Sequence, residues 1–447
     1  LIPVAIYWGR SPHREVSVLK ALFSENWEAI GRIRKFFSTL VHGRSTLLRF
    51  SHALPMRSIG VDDPSPEIAS RKVSRILRVH FRQRRIATVG PDLSHRRTLI
   101  NQVLRSPDVR RVMKAEAGDD VRKQEHARRR ARKYALEVAA DISYPTIRVL
   151  DSVLRWLWNQ IYDGIELNHI DELHDRAREQ SIIYVPCHRS HFDYLLLSYL
   201  TYEQGLPLPH DAAGINLNLP VVGCILRRGG AFFLRSTFKG NRLYAAVFDA
   251  YMQEVLGKGH SMEYFIEGGR SRTGRLLKPM GGMLAMTVNA YVNNPQRPLV
   301  FMPVYFGYEK LIEGSAFVSE LGGAKKQKDT LGGLIRSVRA LRDHFGKVWV
   351  NFGEPIELQP LLDQRHPEWR GFVPENGERP AWLGDIVDDL EGRIMQNINA
   401  AAAVTPNSLL AYVLLATPKQ TLGHAELRRQ LRLSLDLLQR FGYSEFV

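Results

Sequence analysis

His188 and Asp193 stand five residues apart in the run Cys187-His188-Arg189-Ser190-His191-Phe192-Asp193. A carboxylate that takes one imidazole N–H fixes the tautomer and leaves the other ring nitrogen free as a base. On one ideal helix, residues five apart diverge by about 140°. The two can therefore meet only if His188 lies in the turn before a helix and Asp193 in its first turn. Ser190 as N-cap, with Asp193 three residues on, supplies that geometry. The same residues also make a plain capping box beside a hydrogen-bonded turn histidine, so this stretch alone leaves both readings open. His191 is a rival base that falls inside the expected first turn. Cys187 is a poor nucleophile for His188, because neighbours on an extended chain point opposite ways.

A second group of residues is basic. In Phe265-Ile266-Glu267-Gly268-Gly269-Arg270-Ser271-Arg272-Thr273-Gly274-Arg275 an apolar strand ends in two glycines and three arginines. Glycines let a loop approach a ligand closely. Guanidinium forks pair with phosphate bidentately. The alternative is a solvated basic turn. Gly229-Gly230-Ala231-Phe232-Phe233-Leu234-Arg235 is a weaker signal of the same kind, and it also reads as an ordinary loop and strand. Gly269-Arg270-Ser271-Arg272-Thr273 is not a nucleophile elbow, since its last position lacks glycine. There is no G-x-x-x-x-G-K-[ST] loop and no Cys/His cluster with metal spacing. A base, an orienting acid and phosphate clamps remain. They fit direct attack by a substrate hydroxyl whose proton the protein accepts.

These side chains need a scaffold. Ile182-Ile183-Tyr184-Val185-Pro186 is a short β-branched and aromatic run stopped by proline, which reads as a buried strand. Tyr194–Leu200 reads as an apolar helix. His188 would then sit at the carboxyl end of a strand, where α/β sheets place ligands. Further strands are expected at 231–235, 262–266, 298–306 and 347–352, alternating with helices, so the fold class is α/β. Before them, after one strand at Leu1–Trp8, the chain reads as helical: 24–41, 65–85, 119–140 and 146–162. After Glu354-Pro355 it returns to helix. Trp382, Ile386, Leu390, Ile394 and Ile398 form one stripe, Pro406 opens an apolar segment to Leu415, and Leu427, Leu431, Leu435 and Leu438 line a last helix as expected core. The expected regions are 1–160, 161–357 and 358–447.

The 447 residues carry 62 Lys plus Arg against 46 Asp plus Glu, a formal charge of +16. That excess points to an anionic partner: nucleic acid, membrane surface or phosphate-bearing substrate. Cys187 and Cys224 make no disulfide framework, so a reducing compartment is the simpler reading. No apolar run reaches membrane-spanning length. The helix at 24–41 carries Trp27, Ile30, Phe37 and Leu40 beside Arg32, Arg34 and Lys35, a composition suited to a membrane interface. The chain opens at Leu1 without Met or a signal peptide pattern, so an N-terminal part is expected to be missing.

Val185-Pro-Cys-His188-Arg-Ser-His-Phe-Asp193-Tyr-Leu-Leu-Leu-Ser-Tyr199 resembles the first block of the HX4D glycerolipid acyltransferases, and within them the bacterial membrane-bound glycerol-3-phosphate 1-acyltransferases of PlsB type. Gly230-Ala-Phe-Phe-Leu-Arg235 resembles the second block and Phe265-Ile-Glu-Gly-Gly-Arg-Ser-Arg272 the third. Val300-Phe-Met-Pro303-Val-Tyr-Phe-Gly-Tyr308 resembles the fourth. HX4D alone is a weak pattern, whereas four blocks in order are strong. The likeness extends through Gly90–Arg97, Phe238-Lys239-Gly240-Asn241 and Asn351-Phe-Gly-Glu-Pro355.

The resemblance implies a mixed sheet flanked by helices, with helical N-terminal and C-terminal regions. It implies acyl transfer from acyl-CoA or acyl carrier protein to the sn-1 hydroxyl of glycerol 3-phosphate, without a cofactor or metal, at the cytoplasmic face of the bacterial inner membrane. His188 would be the base and Asp193 its orienter. Phe233, Leu234, Arg235, Glu267, Gly268, Arg270, Ser271, Arg272 and Pro303 would bind substrate, the arginines holding phosphate. One departure stands out: the family's second block usually ends in two arginines, and here Ser236 follows Arg235. The rivals are a sibling enzyme that acylates lysophosphatidate or dihydroxyacetone phosphate, a basic nucleic-acid-binding protein, and a lipid-surface scaffold without activity. No helix-turn-helix, RRM or zinc pattern supports nucleic acid.

Overall fold

The computed structural model describes residues 2–8, 46–51, 66–89, 96–238, 240–323, 344–372 and 378–441. The helix expected over 24–41, the stretch 90–95 and Lys239 lie outside the described residues. Ten strands are described: β1 Val4–Trp8, β2 Thr46–Phe50, β3 Gly164–Asn168, β4 Ser181–Pro186, β5 His210–Gly214, β6 Phe232–Leu234, β7 Met262–Glu263, β8 Leu299–Tyr308, β9 Lys347–Phe352 and β10 Ile356–Glu357. The chain divides into two compact units. One comprises Leu1–Leu150, His174–Ser181 and Leu200–Ser261; the other comprises Asp151–Leu173, Ile182–Tyr199 and Met262–Val447.

In the first unit β1 and β2 pair antiparallel and β5 and β6 parallel. Helices Arg96–Arg105, Pro107–Ala117 and Val121–Val138 pack with the helix Arg242–Gly257. Asp120 starts the helix Val121–Val138, its carboxylate accepting the N–H groups of Arg122 and Lys123 at 2.8 and 3.2 Å. Ala127, Ala131, Ala135 and Val138 form its buried face. Small residues at four-residue spacing let neighbours approach closely, while Arg128, Arg129, Arg132 and Lys133 are exposed. This basic run is therefore a solvated face.

In the second unit five strands lie in the order β3-β9-β8-β4-β7, and β10 pairs with β8. β3 is parallel to β9 and β4 to β7, whereas β8 runs antiparallel to β9 and β10. The sheet is mixed, as the resemblance implied. Every residue of β4 is buried, which is why its sequence is continuously apolar rather than alternating. The helix Leu383–Ala400 packs against β8 and buries Ile386, Leu390, Ile394 and Ile398 of the expected stripe, whereas Trp382 stands just before the helix and is only partly buried.

Four described strands, at 46–50, 164–168, 210–214 and 356–357, were not anticipated. They are short, and His210-Asp-Ala-Ala-Gly carries little β-propensity. One core expectation also fails. The helix His424–Arg440 has no buried residue. Leu427, Leu431, Leu435 and Leu438 are only half-buried, because among the described residues this helix packs chiefly on one neighbour, Pro406–Ala416. No helix among the described residues is long and apolar enough to cross a membrane.

Candidate active site

The second unit holds the histidine and its partners. β4 ends at Pro186, the chain turns through 187–192, and a helix begins at Asp193. His188 Nδ1 stands 3.1 Å from Asp193 Oδ2. An ionised carboxylate only accepts, so Nδ1 is the donor and Nε2 keeps its lone pair. Asp193 is fully buried, and His188 keeps 18% of its side chain exposed. Oδ2 also accepts the backbone N–H groups of Arg189 at 2.6 Å and Ser190 at 2.9 Å. Ser190 Oγ accepts the N–H of Phe192 at 3.2 Å. Ser190 is not the expected N-cap, since the helix begins only at Asp193; the carboxylate that closes the turn is the one that holds the imidazole.

The rest of the scaffold fixes His188 from other sides. Its ring stacks on Phe265, with centroids 4.0 Å apart and planes 25° apart. The His188 backbone N–H donates to Glu267 Oε1 at 2.9 Å, and Leu277 N–H donates to Glu267 Oε2 at 2.7 Å. The carbonyl of His188 accepts Ser271 N–H at 2.9 Å. Glu267 and Ser271 therefore join the histidine loop to the arginine turn. Gly268 is exposed, and a Cβ there would meet Met280 Sδ at 2.5 Å. Pro303 is buried in β8, and the carbonyl of the next residue, Val304, accepts Cys187 N–H at 2.9 Å. Cys187 is buried, its Sγ accepts Phe306 N–H at 3.2 Å, and burial pushes the thiol up to about 11. It is no nucleophile at neutral pH.

The arginines are pre-set by acids. Arg272 Nε pairs with Glu320 Oε2 at 3.1 Å, and its Nη1 donates to the Arg270 carbonyl at 2.7 Å. Arg270 Nη1 lies 3.7 Å from Glu313 Oε1. Both guanidiniums lie over Phe317, at 5.3 and 5.4 Å from its centroid. Phe233, Leu234 and Arg235 belong to the first unit. There Arg235 makes a two-pronged pair with Glu137 at 2.7 and 2.8 Å, between the rings of Tyr134 and Tyr244.

Sequence reasoning missed Tyr308 and Glu313. Tyr308 closes the fourth block, two residues past the expected strand end, and its hydroxyl donates to Asp193 Oδ1 at 2.6 Å. Glu313 lies outside every block and carries no signal in one sequence. Among the described residues, no group of three or more His, Cys, Asp or Glu side chains is arranged to hold a metal ion.

A family model described simply as acyltransferase matches residues 168–307, the span holding His188, Asp193, the arginine turn and Pro303. The mixed sheet and its histidine loop thus define an acyltransferase domain. Models for the PlsB N-terminal domain and for the C-terminal region of glycerol-3-phosphate acyltransferase match residues 1–90 and 317–446. The chain is 48% identical over 444 residues to the glycerol-3-phosphate acyltransferase of Pseudomonas aeruginosa, covering 99% of this chain and 53% of that one. It is also 48% identical over 448 residues to the glycerol-3-phosphate acyltransferase of Xanthomonas campestris, covering 100% of this chain and 51% of that one. It belongs to the glycerol-3-phosphate acyltransferase family and spans about half the length of the curated relatives it matches. The crystal structure of a 1-acyl-sn-glycerophosphate acyltransferase from Thermotoga maritima aligns with 69% of this chain and 97% of its own, at 16% identity and a TM-score of 0.32.

Proposed function

We propose that this chain transfers a fatty acyl group from a thioester, acyl-CoA or acyl carrier protein, to the sn-1 hydroxyl of glycerol 3-phosphate. His188 Nε2 takes the hydroxyl proton as the oxygen attacks the thioester carbon. The tetrahedral intermediate collapses, the C–S bond breaks, and the thiolate leaves with the proton from His188. The product is 1-acyl-glycerol 3-phosphate, and the acyl group is never bonded to the protein. Asp193 holds the imidazole and stabilises the imidazolium. Arg270 and Arg272 neutralise the phosphate; Arg235, in the first unit, is assigned to it on the resemblance alone, with Ser236 supplying no second cation after it. Gly268 and Pro303 shape the substrate site, and Phe233 and Leu234, in the first unit, are assigned to substrate binding on the resemblance alone.

The reading rests chiefly on the 3.1 Å contact between His188 Nδ1 and the buried Asp193 carboxylate, which leaves a base and no activated nucleophile. The relatives' name supplies the acceptor. The formal charge of +16 suits peripheral attachment to the anionic cytoplasmic face of the inner membrane. The experiment is transfer from palmitoyl-CoA to labelled glycerol 3-phosphate with the lipid product analysed. Labelled 1-acyl-glycerol 3-phosphate is expected. Acylation of lysophosphatidate or dihydroxyacetone phosphate in its place would overturn the acceptor.

A further inference from the structure

Glu313 is buried, 9% exposed, and lies five residues beyond the end of β8. It stands at the N-cap of the helix Gly314–Leu321, yet its side chain makes no capping bond. Its carboxylate reaches the base-bearing loop. Ser190 Oγ–H lies 3.1 and 3.0 Å from its two oxygens, and His191 N–H donates to Oε1 at 2.9 Å. The same Oε1 faces Arg270 Nη1 at 3.7 Å. A buried carboxylate is costly unless donors and opposite charge surround it, and here the loop supplies two donors and the arginine turn a facing guanidinium.

Ser190 is in turn locked to Asp193, which accepts its N–H at 2.9 Å. The contacts therefore run without a gap from Arg270 through Glu313, Ser190 and Asp193 to His188.

We propose that Glu313 is a positioning residue that locks the Ser190–His191 segment to Arg270, so that one carboxylate sets the base relative to the acceptor's phosphate. This rests on the roles given above to His188 and Arg270. Glu313 touches no reacting atom. Its loss leaves the base present but misaligned, which lowers kcat, and none of these Glu313 contacts concerns binding of the acyl donor.

The test compares Glu313→Gln, Ser190→Ala and the double variant in the intact protein. Transfer from palmitoyl-CoA to glycerol 3-phosphate is measured alongside amide hydrogen exchange across residues 187–193. Glu313→Gln keeps the shape but loses the charge, and its kcat should fall about tenfold while the KM for palmitoyl-CoA changes less than about threefold. Ser190→Ala should reproduce part of that loss. The double variant should be little slower than Glu313→Gln, because the Ser190–Glu313 contact is lost in both. An unchanged kcat in Glu313→Gln, or losses that multiply in the double variant, overturns the proposal. If Glu313→Gln does not fold, Ser190→Ala decides alone: a lowered kcat supports the link and an unchanged kcat overturns it. Exchange across 187–193 should quicken in either variant and reads the link without turnover; unchanged exchange overturns it. A wild type that acylates no glycerol 3-phosphate would sink the proposed function and leave that exchange readout standing.

Discussion

Tyr308 donates its hydroxyl to Asp193 Oδ1 at 2.6 Å, on the carboxylate oxygen that His188 does not use. Burial, and then the Asp193 charge, push the phenol well above its ordinary range, so it stays a donor throughout the working pH range. Asp193 is thereby held from both sides, by a tyrosine on one oxygen and by the loop and the imidazole on the other. Tyr308→Phe removes a hydrogen bond to a charged group, worth about 1.5–3 kcal/mol. Its kcat should fall about tenfold, and Asp193→Asn should cost more, since the wrong tautomer is then favoured. An unchanged kcat in Tyr308→Phe means that the backbone N–H groups suffice to hold Asp193.

Cys187 adjoins His188 but should be dispensable. With its thiol pushed up to about 11, thiolate is scarce at neutral pH and appears only as the pH rises towards that value. In the native protein an alkylating reagent at pH 7.5 should label exposed Cys224 and spare buried Cys187. Cys187→Ala should keep its kcat within about threefold of wild type, as expected without an acyl-enzyme. Acyl transfer abolished by that change, or an acyl group trapped on Cys187, would contradict direct attack.

Arg270→Ala and Arg272→Ala should each raise the KM for glycerol 3-phosphate, by about tenfold for one lost charge-assisted contact. Arg235→Ala should do the same. Restoring the family pattern with Ser236→Arg should not weaken acceptor binding. Steady-state kinetics in glycerol 3-phosphate measures all four. Three unchanged KM values would move the phosphate to other residues.

Acid should weaken the first unit through His210. Burial pushes this imidazole down to about 4 from an ordinary value of 6.5. The unfolded chain then binds the extra proton, so stability is full above about pH 6.5 and is lost as the pH falls towards 4. Urea unfolding at pH 7.5 and pH 5 should show the drop, about 2 kcal/mol from this group. His210→Gln should flatten it. An equal drop in that variant would assign the acid sensitivity to other groups.

What could be read in the sequence follows from where the signals are local. β4, the turn and Asp193 lie within thirteen residues, and their apolar run, proline and capping pattern all concern neighbours. The stripe Ile386, Leu390, Ile394 and Ile398 was equally legible, because helical periodicity records burial directly. β3 and β5 were not, since polar and small residues there are held by pairing with distant strands. Glu313 was hidden for the same reason: its partner Ser190 is 123 positions away, and nothing near it in the chain announces the contact. The carboxylate partners of Arg235, Arg270 and Arg272 were hidden too, so sequence read as free cations what the fold holds as ion pairs.

The central claim is that His188 is the base, and the most direct measurement is kcat for His188→Ala beside His191→Ala. The His191 N–H serves Glu313 through the backbone, which alanine retains. His188→Ala should lose about 10²–10⁴-fold in kcat with its fold and glycerol 3-phosphate binding intact. His191→Ala should lose far less. Equal losses in the two variants, or a His188→Ala enzyme within a few-fold of wild type, would contradict the account.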